Sequence, residues 1–116
     1  MYVRSLLIGW LLAGVVLTAH AHAHLKSATP ADHSVVSTAP SEVVLQLSEP
    51  ARLTAAWIQR EADARQTLVA PKEAKSEIHL PLPALKPGSY VVSWRALSDD
   101  GHVTSGALHF KLAPNG

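Results

Sequence analysis

The dominant feature of this sequence is a set of short alternating apolar runs, each ended by proline or glycine. Between Glu42 and Ser48 every second residue is a large apolar one, and Ala107–Leu112 repeats that pattern. A two-residue period places one face of a strand in a core and the other face in solvent. Tyr90–Leu97 is rich in the β-branched and aromatic residues that strands favour. These runs predict β-strands, and no helical period of similar length accompanies them.

The arrangement of the runs predicts an all-β domain of about seven strands. Short strands separated by turn residues are typical of a β-sandwich or a small barrel. The segment Leu85–Tyr90 also resembles the tyrosine corner of such sandwiches. The predicted strands are Leu25–Ala28, Glu42–Ser48, Leu53–Arg60, Thr67–Ala70, Glu77–Leu80, Tyr90–Leu97 and Ala107–Leu112. The predicted breaks are Pro30, Pro40, Pro50, Pro71, Pro81, Pro83, Pro87–Gly88, Gly101 and Gly106.

The first residues have the three parts of a cleavable secretion signal. Arg4 precedes an apolar run over residues 6–18, and the small residues of Ala19–Ala21 follow. The run is shorter than the ~20 apolar residues of a membrane-spanning helix. We therefore expect a signal peptide at residues 1–21 and one soluble domain at residues 22–116, exported to the periplasm. A retained N-terminal anchor is the alternative.

Composition limits what the exported domain binds. Its nine Lys and Arg, counted without Arg4, balance nine Asp and Glu, and no basic cluster offers a surface for nucleic acid or acidic lipid. Cysteine is absent and Met1 is the only methionine, so no sulfur ligand is left once the signal is removed. Any metal would therefore meet nitrogen and oxygen ligands. The histidines after residue 21 are His22, His24, His33, His79, His102 and His109.

His22 becomes the first residue if the signal is cut after Ala21. Its α-amine and its ring Nδ1 can then chelate one metal ion, because an α-amine, with a reference pKa of about 8, loses its proton to a metal at modest cost. Cu(II) leads the divalent affinity order and favours such nitrogen ligands in a square plane. A cut after Ala23 would make His24 terminal instead. The alternative to a metal site is that the end of a signal peptide merely tolerates histidine.

The sequence Asp100-Gly101-His102 supplies a second pair of candidate ligands. On an extended segment, residues two apart point to the same side, so a carboxylate and an imidazole at this spacing can address one ion. Gly101 gives the backbone room to approach that ion. The alternative is an ordinary Asp-Gly turn with an exposed histidine.

Both elements lie in segments that resemble the CopC copper-resistance proteins. His22–Pro30 is similar to the mature start of that family, and Tyr90–His102 is similar to its second signature. Leu47–Pro50 and Ser105–Leu112 resemble two further motifs, so the resemblance covers nearly all of residues 22–112. It implies an immunoglobulin-like, Greek-key β-sandwich or barrel.

The resemblance also implies a metal site. The family binds Cu(II) through its N-terminal histidine, by amine and ring, together with the Asp and His of the second signature. Those positions are His22, Asp100 and His102 here, which implies one Cu(II) ion per chain. The acidic residue that the family places near copper matches Glu49, either as a weak ligand or as a partner that orients one. His24 is a further candidate, as an added ligand or through an amine–amide–amide–imidazole chelate that would compete for the ion.

The chain departs from those relatives that hold Cu(I) in a methionine-rich loop, because it has no such loop. The resemblance implies a monomer that sequesters or delivers copper without catalysis, with a separate CopD-type inner-membrane protein as its partner. Two alternatives stay open. One is a copper monooxygenase-like enzyme built on an N-terminal histidine, and the other is a metal-free secreted β-sandwich that acts in adhesion or assembly.

The remaining histidines are interpreted as surface residues. His33 falls in a predicted loop, His79 in a short polar-flanked strand, and His109 on the outward face of an alternating strand. Trp94 lies six residues before Asp100 and is predicted to pack beneath the candidate ligands.

Overall fold

The computed structural model describes residues 23–114, which form seven β-strands. This part of the chain contains no helix, and so none that could cross a membrane. The predicted all-β class is therefore confirmed. The strands are β1 Leu25–Thr29, β2 Ser34–Val36, β3 Glu42–Arg60, β4 Gln66–Thr67, β5 Lys75–Pro81, β6 Gly88–Ser98 and β7 Val103–Leu112.

Strand β3 is long enough to belong to two layers of one curled sheet. Its first half pairs with β1 and β5, and its second half pairs with β4 and β6. β6 and β7 form a long hairpin, and β2 runs parallel to β7 at the far edge. The two layers enclose the core between them, as the predicted sandwich requires.

The predicted breaks at Pro50 and Gly106 are wrong, because β3 continues through Pro50 and β7 continues through Gly106. The pairing of β3 with β5 shifts register between Gln46 and Ala51, and the pairing with β6 begins at Ala51. Proline lacks a backbone N–H and is tolerated at such irregularities of a sheet. The predicted strands 42–48 and 53–60 are therefore one strand, which passes between the layers near Pro50.

Two short strands also differ from the prediction. β2 is not among the predicted strands, because its three residues are too few to show an alternation. Its pairing places Ser34 beside Phe110 and so brings the preceding loop to β7. The predicted strand 67–70 is reduced to two residues in β4, where the chain pairs with Trp57 and Ile58.

The core is formed by the inward faces of β3, β5, β6 and β7. The largest fully buried side chains are Leu45, Ile78, Leu80, Leu108, Val43 and Val92. Trp94 is 4% exposed, and its indole lies across Gly106 on the neighbouring strand. A Cβ atom at Gly106 would lie 2.3 Å from Cζ2 of that indole. Glycine is therefore required at this position by the close approach of the ring.

Tyr90 stabilises the loop that leads into β6 through hydrogen bonds of its hydroxyl group. Its hydroxyl donates to the carbonyl oxygen of Lys86 at 2.5 Å and accepts from the N–H of the same residue at 2.9 Å. The ring stacks on Phe110 of β7. The tyrosine corner predicted at Leu85–Tyr90 is therefore present.

Candidate metal centre

Asp100 and His102 lie together in the turn between β6 and β7. Oδ2 of Asp100 is 2.6 Å from Nδ1 of His102, and Oδ1 accepts a hydrogen bond from the His102 backbone N–H at 3.1 Å. Two backbone hydrogen bonds of 2.9 Å close the turn, from Ser98 N–H to His102 O and from Gly101 N–H to Ser98 O. The carboxylate and the imidazole that were predicted to act together are therefore in direct contact.

The reason for this contact differs from the predicted one. Residues 99–102 form a turn and not an extended segment, so the period of a strand does not align the two side chains. Gly101 has a φ of +87°, which residues with a side chain rarely adopt. No atom lies within 4 Å of the place that its Cβ would occupy, so the need for glycine is conformational. An Asp-Gly turn and a pair of candidate ligands are thus compatible in this chain.

The contact between Asp100 and His102 also defines the orientation of the ring. Nδ1 faces the carboxylate, so Nε2 is directed away from it. A carboxylate that binds one imidazole nitrogen fixes the tautomer and makes the other nitrogen a more basic ligand. The side chains of the turn are partly exposed, with relative exposures of 62% for His102 and 30% for Asp100. A metal ion can therefore reach Nε2 and, after rotation of the side chain, a carboxylate oxygen.

The N-terminal end of the described chain meets this turn at Ala23. The Ala23 N–H donates to Oγ of Ser98 at 3.3 Å, and the Ala23 carbonyl oxygen accepts from the Thr104 hydroxyl at 3.4 Å. Ala23 is 6% exposed and belongs to the core. Because Ser98 and Thr104 flank the turn, Ala23 is anchored at the base of the segment that carries Asp100 and His102.

His22 and the signal predicted at residues 1–21 lie outside the described residues, so both stay predictions. Ala23, which follows His22 in the chain, is the first described residue.

His24 is held by its backbone beside Ser48 of β3. Its N–H donates to the Ser48 hydroxyl at 2.8 Å, and its carbonyl oxygen accepts from the Ser48 N–H at 2.8 Å. The side chain is exposed. A chelate through His24 would use the amide nitrogens of Ala23 and His24, and both amides donate hydrogen bonds within this fold.

Glu49 lies at the same end of the molecule. It is half-buried on β3, next to Ser48 and two residues before Ala51. Ala51 pairs with Ser98 of β6. The structure therefore brings the strand position of Glu49 to the base of the turn.

Trp94 lies beside the N-terminal segment. It lines a groove of 300 Å³ together with Ala23, His24 and Thr104. The burial predicted for Trp94 is confirmed, and its packing beneath Asp100 and His102 stays a prediction.

His79 is engaged by two carboxylates on the outer face of the sheet. Nε2 lies 2.7 Å from Oε2 of Glu77, and Nδ1 lies 3.2 Å from Oε1 of Glu42. Glu77 and, to a smaller extent, Glu42 raise the pKa of His79 above its ordinary value, because both stabilise the imidazolium form. His79 is exposed, as predicted for a surface histidine.

His33 and His109 are exposed as predicted, but they form a group with Asp32. The two rings stack with centroids 4.9 Å apart, and the carboxylate contacts both. The hydrogen bond from the backbone N–H of His109 is the main cause that lowers the pKa of Asp32. Sequence reasoning missed this group, because Asp32 and His109 are 77 positions apart and meet only through the β2–β7 pairing.

Sequence reasoning also missed three positioning residues, Ser48, Ser98 and Thr104. Each ties the backbone of Ala23 or His24 to the end of the fold that carries Asp100. A signal was available for two of them, since Ser48 and Ser98 are hydroxyl residues inside the motifs that suggested copper.

Comparisons with known proteins agree with this arrangement. The CopC domain profile matches residues 25–113. The chain is 34% identical over 121 residues to copper resistance protein C of Escherichia coli, and this match covers 94% of the chain and 95% of that protein.

Two solved structures are also similar over most of the chain. CopC from Methylosinus trichosporium OB3b has a TM-score of 0.66 at 30% identity, with 82% of this chain and 97% of that chain covered. PcoC, a methionine-rich copper resistance protein from Escherichia coli, has a TM-score of 0.61 at 31% identity, with 80% of this chain and 100% of that chain covered. The chain, with its seven strands and its Asp-Gly-His turn, therefore belongs to the CopC family and is homologous to copper resistance proteins.

Proposed function

We propose that the mature protein binds one Cu(II) ion in the periplasm through His22, Asp100 and His102, and that it sequesters copper or delivers it to another protein. The observation that carries this proposal is the anchoring of Ala23. Its two backbone hydrogen bonds hold the chain at the base of the Asp100–His102 turn. Since consecutive Cα atoms are only about 3.8 Å apart, this anchoring supports a ligand role for the residue before Ala23.

The proposed ligands suit Cu(II). The α-amine and the ring Nδ1 of His22, Nε2 of His102 and an oxygen of Asp100 supply three nitrogens and one oxygen, a set that matches the square-planar preference of this ion. The carboxylate is a hard anionic ligand and favours Cu(II) over Cu(I). The chain has no cysteine, and Met1 is its only methionine, so a thioether site for Cu(I) is not part of the proposal.

Glu49 has a supporting role in this proposal. Its half-buried position beside Ser48 supports a role in holding a water molecule or in orienting a ligand of the ion. Partners of this kind typically change metal affinity by about 10-fold to 100-fold.

The competing chelate through His24 is disfavoured by the fold. It would need the amide nitrogens of Ala23 and His24 to lose their protons and bind copper. Those N–H groups donate to Ser98 and Ser48, so the chelate would break both bonds and release the N-terminal segment from the sheet. The Asp100–His102 pair would exchange only its own side-chain contact for bonds to the ion, and the backbone of the turn would stay in place.

The exposure of the turn and the nature of the relatives support the proposed role in copper handling. The turn that carries Asp100 and His102 is exposed, so a bound ion could pass to a partner without unfolding of the core. Homologues of the chain are copper resistance proteins, and the described residues include no membrane-spanning helix. We therefore propose a separate inner-membrane protein of the CopD type as the recipient, with this chain as a monomeric, non-catalytic carrier.

A matched pair of N-termini tests the proposal. One protein begins at His22, verified by mass spectrometry, and its control is the same chain with an acetyl group on the α-amine, which converts that amine into an amide. We expect one equivalent of Cu(II) to bind the first protein at least about 100-fold more tightly, as measured by competition with a chelator, because the control loses a ligand and the chelate ring. Equal affinity for the two proteins would refute the proposed site.

A further inference from the structure

We infer that Asp32, His33 and His109 form a second site for a divalent transition-metal ion, separate from the Asp100–His102 turn. The inference does not depend on the proposed function, because it uses none of the same residues. It starts from two imidazoles that converge on one carboxylate. Nδ1 of His109 lies 3.2 Å from Oδ1 of Asp32, and Nε2 of His33 lies 3.4 Å from Oδ2.

The donor atoms are already close to the spacing that an ion requires. They all lie within 4.8 Å of one another. Ligand bonds of about 2.1 Å allow two donors of one ion to be up to about 4.2 Å apart. The remaining contraction needs rotations of side chains, which their partial exposure permits, since His33, His109 and Asp32 are 74%, 46% and 44% exposed. Such rotations would also turn the stacked rings, which are now 5° from parallel, toward a common ion.

The backbone holds the three residues in place from both strands. The His33 N–H donates to the His109 carbonyl oxygen at 2.6 Å, and the His109 N–H donates to Oδ1 of Asp32 at 2.8 Å. His33 has a φ of +63°, which is uncommon for a residue with a side chain. Residues held in such conformations are found most often at functional sites, where the surrounding structure maintains them.

The chemistry of the group indicates the class of ligand. Two imidazoles and one carboxylate, without sulfur, suit borderline divalent ions such as Cu(II) and Zn(II). Three protein ligands leave at least one coordination position for water or an exchanging ligand. His33 and His109 line an open groove of 320 Å³, so that position is reached from solvent. We expect a weaker and more exchangeable site than one closed by a chelating N-terminus.

The second site is distant from the first. Val103 begins β7 next to the Asp100–His102 turn, and His109 lies six residues further along the same strand. At about 3.3 Å per residue, the two groups are about 20 Å apart. The two sites therefore share no ligand, and each can be removed without the other.

Titration of the mature, full-length domain tests the inference. We expect the wild-type protein to take up two equivalents of Cu(II) with distinct affinities, and His109→Ala and His33→Ala each to weaken the second equivalent by about 10-fold to 100-fold. Zn(II) titration followed by NMR should shift the ring protons of His33 and His109 together. The matched control is His79→Ala, which removes an exposed histidine with two carboxylate partners elsewhere on the sheet. The control should leave both equivalents unchanged.

The outcomes separate this inference from the proposed function. A second equivalent that keeps its wild-type affinity in His33→Ala and His109→Ala would overturn the second site, as would uptake of a single equivalent that His102→Ala abolishes. Loss of the weaker equivalent alone in either variant, with unchanged far-UV circular dichroism, would support it. Binding that depends on His109 but not on His22, Asp100 or His102 would support the second site and contradict the proposed function.

Discussion

The two ends of the β6–β7 hairpin each carry histidine beside aspartate, but they are built in different ways. At one end, Asp100 and His102 are two positions apart and meet through a local turn. At the other end, Asp32 reaches His109 across 77 positions of sequence, and only the parallel pairing of β2 with β7 brings them together. A short motif such as Asp100-Gly101-His102 can therefore be recognised in a sequence, whereas a group assembled by tertiary structure cannot.

The two groups also differ in how they are completed. The Asp100–His102 turn has the anchored N-terminal segment at its base, through Ala23 and Ser98. The group at Asp32 contains all of its proposed ligands within the described residues. We therefore expect the first site to be sensitive to the chemistry of the N-terminus and the second to be independent of it.

The largest expected change in Cu(II) affinity comes from substitutions at one end of the hairpin, and the matching substitution at the other end should not produce it. Asp100→Ala or His102→Ala should weaken the tight Cu(II) site by about 100-fold or more, because each removes a proposed ligand. Asp32→Ala should leave that affinity unchanged and affect only the weaker equivalent. Chelator competition on all three variants measures this, and equal losses from Asp100→Ala and Asp32→Ala would show that the ends are not separate sites.

Gly106→Ala tests the packing between the two ends. A Cβ there would lie 2.3 Å from the Trp94 indole, so we expect a loss of about 1–3 kcal/mol in the free energy of unfolding. Urea denaturation measures this loss. Ala107→Ser, at the next and exposed position, is the control and should change stability very little. Since Trp94 lines a groove with Ala23, Gly106→Ala should also weaken the tight copper site and spare the group at Asp32.

The double substitution Ser48→Ala with Ser98→Ala tests why the first site prefers one chelate. It removes the acceptors of the His24 and Ala23 amides, so the competing chelate through His24 becomes easier to form. We expect the affinity of the Asp100–His102 site to fall by about 10-fold. Electron paramagnetic resonance should show a shift toward four-nitrogen coordination of Cu(II), and an unchanged spectrum would mean that these hydroxyls do not control the choice.

The smallest expected effect concerns His79. Like the histidines at the two ends of the hairpin, it contacts carboxylates, but it is not a proposed ligand. Its pKa is raised by Glu77 and Glu42 in the folded protein, so its charged form is favoured by folding. This contribution to stability is fully present below the ordinary pKa of 6.5 and is lost as pH rises through the higher pKa of the folded state. His79→Gln should therefore lower the melting temperature slightly at acidic pH and leave it unchanged at alkaline pH. A deficit that is larger at alkaline pH would contradict this sign.

Much of the fold could be predicted because β6 is rich in β-branched and aromatic residues and because Ala107–Leu112 of β7 alternates clearly. Leu108, Phe110 and Leu112 are buried as their spacing indicates. The continuity of β3 through Pro50 could not be predicted, because it depends on where the pairing with β5 ends and the pairing with β6 begins. β2 could not be predicted, since its residues form a strand only by pairing with β7.

The candidate site was predictable in its residues but not in its geometry. Asp100 and His102 were identified by their motif, yet they meet through a turn and not through the period of a strand. The anchoring of Ala23 by Ser98 and Thr104 depends on contacts across 75 and 81 positions, which no local pattern encodes.

The most direct test of the central claim is anomalous diffraction at the copper edge from crystals of the chain that begins at His22, loaded with one equivalent of Cu(II). We expect one strong copper peak at the β6–β7 turn, bound by the amine and ring of His22 and by Asp100 and His102. A main peak at Asp32, His33 and His109, or a copper ion bound at the N-terminus by the Ala23 and His24 amides without Asp100 and His102, would contradict it.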